Sequence, residues 1–368
     1  MLCVRAWQVL PLLIIVVAGC GNGSDPVDPS TPARYDSTGF HDATLREYRI
    51  RTDFAAMVNL LKTARSRGVV LSQSQINAAL APFKSEVVPG FRDQLSKYAL
   101  ELAEASGGEY ADPPPTGPVS QGGVFGGYLF NEAGLEMEQM IDKGLYAALF
   151  YRYARDLSTR EQTRESLHQL LAIYGAHPRF SNSDKAAIHP DQIVAGYCAR
   201  RDQNDGKGMY SQIQQEFIRA QNAISTRTAA QANASVQRIL RLWERSQMAT
   251  VINYTYAVVD GLSTGTPSES ARATAMHAYG ECVGFLTGWR FVQDTSVLLT
   301  ERDIDEMLQL LRAPVDGPWN CYEIWKRPAE MLPNVIAVRK RLQQIYGFTE
   351  EEMISFKTNW VNVQGRNG

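Results

Sequence analysis

Apolar residues recur with the period of an α-helix along most of the chain from Arg46 onward. In segment 53–68 they fall on one broad stripe of a helix, and Gly68 provides a stop. The same period predicts further helices over 72–83, 91–105, 131–156, 158–174, 209–226, 231–259, 268–299, 301–312, 335–346 and 349–360. No run of useful length alternates with the period of a β-strand. The pattern therefore predicts an all-α fold.

Two stretches interrupt the helical pattern. Residues 107–128 hold seven glycines and four prolines, a density at which no regular element is expected, so we predict a long irregular loop. Residues 176–208 are rich in turn-forming residues and are predicted to be a connector. This organisation places an N-terminal helical bundle over 46–175 and a C-terminal helical bundle over 209–368. The two form either one elongated bundle or two consecutive bundles.

The N-terminus has the composition of a processed leader. Its apolar run over 9–18 is too short to span a bilayer as a helix, which takes roughly 20 residues, so residues 1–19 are predicted to be a signal peptide. The run ends in the letters VAGC, which resemble the lipobox at which bacterial lipoproteins are acylated and cleaved. Cys20 is therefore the predicted lipidation site. The alternative is an ordinary signal peptide with a chance cysteine.

The residues after Cys20 predict where the protein is held. Residues 20–45 are predicted to be a flexible tether behind the lipid, because their first part is rich in Gly, Ser, Pro and Asp. Gly21 stands where many inner-membrane lipoproteins carry a retention Asp. A lipid anchor in the bacterial outer membrane, facing the periplasm, is therefore favoured.

Charge and composition exclude some function classes. With 37 Lys and Arg against 39 Asp and Glu, the formal net charge is −2, so the chain lacks the basic excess that a nucleic-acid partner requires. A content of 44% hydrophobic residues is typical of a folded globular body.

Three cysteines lie in the helical body, at Cys198, Cys282 and Cys321. In an oxidising compartment, an odd number allows one disulfide with a spare thiol or three buried thiols. No CxxC spacing is present, and three buried thiols are favoured.

The helix predicted over 268–299 carries the most informative polar pair. His277 and Glu281 stand four residues apart, so they project from one face. Gly280, Gly284 and Gly288 form a GxxxGxxxG row on the same helix. Glycine costs about 1 kcal/mol inside a helix, so this row predicts close approach by another helix. The His–Glu pair is interpreted either as two ligands of a metal site or as a buried hydrogen bond that braces the bundle.

Two more carboxylates complete a candidate cluster. Glu136 lies in a polar stripe with Gln139 and Lys143, a stripe typical of either a solvated face or a core-bracing network. Glu244 lies within another amphipathic segment. If Glu136 and Glu244 met the His–Glu pair, three carboxylates and one histidine would suit iron, zinc, manganese or calcium. A divalent metal or iron is therefore the candidate cofactor.

Known catalytic motifs are absent from the sequence. It contains no HExxH, GxSxG, P-loop or Rossmann glycine pattern, and no nucleophile–base pair stands out. An enzyme is therefore not the favoured class, and no catalytic residue is assigned.

Four segments occur in order within roughly 35–360, and they are GLEMEQMIDKGLYAALF, EFIRAQNAI, LWERSQMATVINY and HAYGECVGFLTGWRF. In their sequence, order and spacing they resemble a family of bacterial lipoproteins grouped with the imelysin-like proteins. The resemblance implies helical bundles in the bacterial envelope and a link to iron uptake. Some imelysins have been described as peptidases with a GxHxxE motif, from which the wider His277-x-x-x-Glu281 spacing departs.

The favoured hypothesis is a membrane-anchored, periplasm-facing, imelysin-like lipoprotein that binds metal, above all iron, during its acquisition. Its partner would be an outer-membrane receptor or another envelope protein. One alternative is an envelope metallopeptidase that uses the same residues. Another is a helical scaffold lipoprotein without a small ligand.

Overall fold

The computed structural model describes residues 32–110, 121–183, 191–263, 265, 267–292 and 296–366. Thr31–Gly368 form one compact unit that is mostly helical, which confirms the all-α class. The described elements are α1 Phe40–Ala43, α2 Leu45–Thr63, α3 Gln73–Leu80, α4 Pro89–Ala105, β1 Gly123–Phe125, β2 Tyr128–Phe130, α5 Met137–Leu145, α6 Arg152–Ser158, α7 Arg164–Tyr174, α8 Ile193–Arg200, α9 Met209–Ser225, α10 Ala229–Leu262, α11 Glu269–Arg290, α12 Glu301–Leu310, α13 Glu323–Lys326, α14 Pro328–Tyr346, α15 Glu350–Ser355 and α16 Trp360–Val363.

The long helix α10 lies at the centre of the core. It packs against α9, α11 and α14, and α11 packs in turn against α5. Large aromatic side chains fill these interfaces; Trp243 and Trp289 are both fully buried. Among the described residues, no helix is both long and apolar enough to cross a membrane.

A β-hairpin corrects the prediction that 107–128 is wholly irregular. Strands β1 and β2 pair antiparallel with Phe125 opposite Tyr128, and Gly126 and Gly127 form the turn with φ of 53° and 87°. Two successive positive φ values are what a two-residue type I′ hairpin needs, and glycine supplies them without steric cost. The two glycines therefore make the turn. Residues 111–120 of the same stretch lie outside the described part of the chain.

Several predicted helices are shorter in the structure. The one predicted over 158–174 begins at Arg164, and the one predicted over 349–360 is divided into α15 and α16. Two others are shorter for local reasons. The helix predicted from 131 begins at Met137, because Asn131 Oδ1 accepts the backbone N–H of Leu135 and Gly134 takes a φ of 78°, which together form a turn. The helix predicted to reach 299 ends at Arg290, and further on the backbone N–H groups of Leu298 and Leu299 donate to a side chain rather than to helical carbonyls.

The predicted connector over 176–208 contains helix α8, which the periodicity did not indicate. This helix packs against α7, α9 and α10, so the stretch belongs to the same compact unit as the helices on either side. Arg366 also anchors the stretch, because it donates to the backbone carbonyls of Asn182 and Asp202.

The three cysteines of the helical body are free and buried. The prediction of three buried thiols is confirmed. Burial raises the pKa of all three thiols above its usual value, to about 12 for Cys198 and Cys321, which makes them inert packing groups.

Candidate functional site

The GxxxGxxxG row of α11 brings that helix against α5. A Cβ at Gly284 would lie 2.4 Å from the carbonyl oxygen of Gln139, and one at Gly288 would lie 2.3 Å from that of Gly144. Only glycine leaves room for such backbone contact. The predicted close approach is confirmed, and it holds the polar side chains of the two helices within reach of each other.

His277 lies between two of the predicted site carboxylates. Its Nδ1 is 2.6 Å from Oε2 of Glu136, which immediately precedes α5, and its Nε2 is 3.6 Å from Oε2 of Glu281. The imidazole stacks on Tyr128 of the hairpin, with ring centroids 4.4 Å apart. Burial lowers the pKa of His277, but the two carboxylates outweigh it, so the pKa stands above its ordinary value. The structure therefore brings His277, Glu136 and Glu281 together.

A guanidinium from the segment after α2 holds Glu136 and Glu138. Nη2 of Arg65 lies 3.0 Å from Oε1 of Glu136, and its Nε lies 2.5 Å from Oε2 of Glu138. Burial, and then the charge of Glu136, raise the pKa of Glu138 to about 7, although Arg65 opposes the shift. One cation thus serves two buried carboxylates.

At the other end of the cluster a lysine likewise faces two carboxylates. Nζ of Lys143 lies 2.7 Å from Asp142, 2.8 Å from the hydroxyl of Tyr197 and 3.4 Å from Glu281. Tyr254 donates a 2.8 Å hydrogen bond to the same oxygen of Glu281 that faces Lys143, Oε1. Burial lowers the pKa of Lys143, but Asp142 and its other neighbours raise it well above its usual value. We call these side chains the His277 network: Arg65, Tyr128, Glu136, Glu138, Asp142, Lys143, Tyr197, Tyr254, His277 and Glu281.

Glu244 does not belong to the His277 network, which corrects the predicted cluster. Its Oε1 accepts the backbone N–H groups of Leu298 and Leu299 at 3.0 Å each, and the hydroxyl of Tyr346 at 2.6 Å. It also lies ten residues before Tyr254 on α10, a separation of about 15 Å along the helix. Glu244 therefore fixes the segment before α12. Cys20, the predicted lipidation site, lies outside the described residues.

The donor set of the His277 network does not fit a bare metal ion. The carboxylates of Glu136 and Glu281 already face Arg65 and Lys143, so a metal cation would have to compete with two fixed cations. Within the ranges that the structure describes, no group of three or more His, Cys, Asp or Glu side chains is arranged to hold a metal. The arrangement matches the core-bracing interpretation of the polar stripe.

A pocket of about 340 Å³ borders the network. Its walls come from α2, α8 and the end of α5, and Asp142 and Lys143 belong both to the pocket and to the network. Tyr146 also lines it and begins a π-helical stretch over Tyr146–Tyr151; such stretches frequently occur at functional sites. Ile193 lines the opposite wall with a φ of 49°, which is unusual for a β-branched residue.

Sequence reasoning missed several members of the network. The segment MEQMIDKGL buries every one of its residues, including Glu138 and Asp142. Four polar residues inside an otherwise apolar helix were the available signal for a buried network. Tyr128 could have been found through the hairpin, since Gly-Gly between Val-Phe and Tyr-Leu-Phe is a short-range hairpin signal. Arg65 carried no such signal.

No family model, no curated protein and no solved structure matches this chain. The resemblance to imelysin-like lipoproteins therefore stays a prediction from the sequence motifs.

Proposed function

We propose that this chain is a lipid-anchored, imelysin-like binding protein of the bacterial envelope that acts in the acquisition of metal, above all iron. Cys20 carries the lipid in this proposal, and the protein faces the periplasm from the outer membrane beside a receptor or another envelope protein. The observation that supports a binding role is the 340 Å³ pocket, whose inner wall is fixed by a buried ionic network. Binding sites are usually largely pre-formed cavities of this kind.

We further propose that the metal enters as a complex with an organic ligand. A bare ion would have to displace Arg65 or Lys143 from buried carboxylates, which leaves an uncompensated charge in the interior. In a complex, the organic ligand supplies the metal's coordination sphere. The protein then needs to contact only the outside of that complex.

A metallopeptidase has less support. A catalytic zinc site takes three protein ligands and keeps one position open for water. Lys143 lies 3.4 Å from Glu281, and Arg65 lies 3.0 Å from Glu136, so both candidate ligands are already ion-paired. The geometry favours binding over catalysis.

A scaffold without a small ligand is the second candidate. It is favoured by the way His277 joins Glu136, before α5, to Glu281 on α11, while Arg65 ties the segment after α2 to the same place. Buried ionic networks of this type can specify one packing arrangement without serving a ligand.

The anchor is tested by changing the lipidated residue. Cys20→Ser should release the protein into the soluble fraction of cells, because two or three acyl chains are the proposed means of retention. Ser24→Ala, four residues further on in the same predicted tether, is the matched control and should remain with the membrane. A Cys20→Ser protein that still pelleted with membranes in high salt would contradict the lipoprotein assignment.

The ligand is tested by thermal unfolding of the Cys20→Ser protein with two kinds of iron complex. One is ferric citrate, which is anionic, and the other is an uncharged ferric trihydroxamate. We expect at least one complex to stabilise the protein by about 2.7 kcal/mol at a hundredfold excess over Kd, and Fe²⁺, Zn²⁺, Mn²⁺ and Ca²⁺ alone to have no such effect. Stabilisation by neither complex would contradict the iron role and favour the scaffold.

A further inference from the structure

We propose that the pocket between α2, α8 and the end of α5 is a binding site for a small organic anion with two or more carboxylate groups. This inference rests on the proposed function, because it names the class of ligand that the same pocket takes. It rests on the charges, hydrogen bonds and size of the pocket.

The first observation is the charge of the pocket wall. Arg51, Lys62, Lys143 and Arg200 line it, against two carboxylates, so the wall carries a formal excess of two positive charges. The whole chain has a formal net charge of −2. Positive charge is therefore concentrated here against the overall balance, and it favours an anion.

The second observation is that the two carboxylates are already occupied. Asp142 accepts from Lys143 at 2.7 Å. Asp191 accepts a 2.9 Å hydrogen bond from the hydroxyl of Tyr210 and a 2.7 Å hydrogen bond from the backbone N–H of Ser183. Since both acids have protein donors, they do not need a ligand.

Most cations of the pocket, by contrast, have no carboxylate within ion-pair distance. Arg200 lies over the ring of Tyr197, 4.6 Å from its centroid, and Lys62 is exposed; neither forms an ion pair with a described carboxylate. Arg51 is buried and donates only to neutral acceptors, the Ala172 carbonyl at 3.2 Å and Gln192 Oε1 at 2.6 Å. Three cations of the pocket thus form no ion pair within the described ranges, and Asp191 and Glu281 act on Arg51 and Arg200 only from a longer distance.

Arg51 also has an unsatisfied hydrogen-bond donor. Its Nε is buried and has no hydrogen-bond partner among the described residues. An unmade hydrogen bond at a buried charged group is costly, and Arg51 lines the pocket with its charge unpaired. A carboxylate is the natural acceptor, because its two oxygens match the planar fork of a guanidinium.

The size and the aromatic walls define the rest of the ligand. A volume of about 340 Å³ is at the lower end for ligand sites, so the molecule is small. Tyr146 and Tyr197 stand edge to face, with centroids 5.4 Å apart, and give apolar contact to a short carbon skeleton. A di- or tricarboxylate combines these properties.

The test is isothermal titration of the Cys20→Ser protein with metal-free citrate, tricarballylate and succinate. Triethyl citrate serves as the uncharged analogue and spermidine as the cationic one. We expect the carboxylates to bind, with an affinity that falls as salt is added, and the two analogues not to bind. Binding of spermidine in place of citrate, or binding of no carboxylate at millimolar concentration, would overturn the inference.

Two variants with matched controls locate the site. Arg200→Gln should weaken citrate binding by about tenfold, as for the loss of one charge-assisted hydrogen bond, and Lys62→Gln by about threefold. The controls are Arg339→Gln, whose guanidinium lies 3.8 Å over Tyr256 outside the pocket, and exposed Lys340→Gln. Citrate that bound all four variants as tightly as the parent would occupy another site, which would also overturn the inference.

The outcomes separate this inference from the proposed function. If only the uncharged ferric trihydroxamate binds, the iron role stands and the anion site is wrong. If metal-free carboxylates bind at the pocket while no ferric complex does, the anion site stands and the iron role is wrong.

Discussion

The His277 network and the pocket beside it contain the same kinds of charged side chain. The cations of the network are ion-paired with carboxylates, whereas most cations of the pocket are not. In the network, Arg65 and Lys143 each face two carboxylates within ion-pair distance. In the pocket, Arg51, Lys62 and Arg200 form no ion pair with any described carboxylate, although two acids are nearby. Lys143 is at the boundary, because its ammonium group belongs to both.

This difference distinguishes charges that stabilise the fold from charges that are available to bind a ligand. A buried ion whose partners are all supplied by the protein contributes to one packing arrangement and leaves nothing for a ligand. A cation that forms no ion pair keeps more of its attraction for an anion from outside. The network therefore holds the wall of the pocket in place, and the pocket cations without ion pairs provide the contacts that recognise an anion.

Breaking the network at its most buried cation should have the largest effect. Lys143→Met leaves Asp142 and Glu281 without their ammonium partner in the interior, so we expect a loss of about 3–5 kcal/mol in the free energy of unfolding. Lys62→Met removes an exposed pocket cation of the same type and should stay within about 0.5 kcal/mol of the parent. Urea unfolding followed by circular dichroism measures both.

Equal stability losses for the two lysine variants would remove the distinction between network and pocket. The m-value should be unchanged in both, because neither substitution alters the amount of surface that unfolding exposes.

His277 should matter less, because a neighbour remains for each carboxylate when it is removed. We expect His277→Ala to cost about 1–3 kcal/mol, and exposed His41→Ala to cost little. The folded-state pKa of His277 lies above its unfolded value, so its contribution is fully present below about pH 6.5 and is lost as pH rises through the folded pKa. Denaturant unfolding of parent and variant from pH 5 to 9 measures this.

Two outcomes would contradict that role. A cost of His277→Ala that increased toward pH 9 would mean that the neutral imidazole, rather than the charged one, is the stabilising form. Stabilisation of the parent but not the variant by Zn²⁺ or Fe²⁺ alone would restore the bare-metal interpretation.

The sequence predicted features that lie within one helix better than features that join several. The glycine row at Gly280, Gly284 and Gly288 was sufficient to predict a close helix partner, because its spacing alone puts the three on one face. The His277–Glu281 pair was found for the same reason. The helical class followed from periodicity over long segments.

Distances between elements could not be predicted in this way. Glu244 and Glu136 are both carboxylates in amphipathic segments, yet only Glu136 reaches His277, because the choice depends on which turn of α10 faces α11. Arg65 lies beyond the end of α2, and Tyr128 lies in a hairpin whose strands are three residues each, too short for a period to be detected. The pocket depends on α8, whose eight residues also carried too little pattern.

Changing Glu138 should have the smallest effect on stability. It also tests most directly whether ion pairing in the network outweighs the cost of burying a carboxylate. Burial, followed by the charge of Glu136, raises its pKa from 4.5 to about 7 despite the ion pair with Arg65, so the folded state binds its proton more tightly than the unfolded state does. A raised folded-state pKa contributes stability that is present below about pH 4.5 and is lost as pH rises through about 7. Glu138→Gln replaces the carboxyl by a neutral group of similar shape. We therefore expect near-parental stability at pH 5 and a shallower loss of stability between pH 5 and 8, measured by urea unfolding, with exposed Glu165→Gln as the control. A variant that lost more stability than the parent over this range would show that Arg65 stabilises the charged carboxylate by more than its burial costs, and the network would then be held by that ion pair.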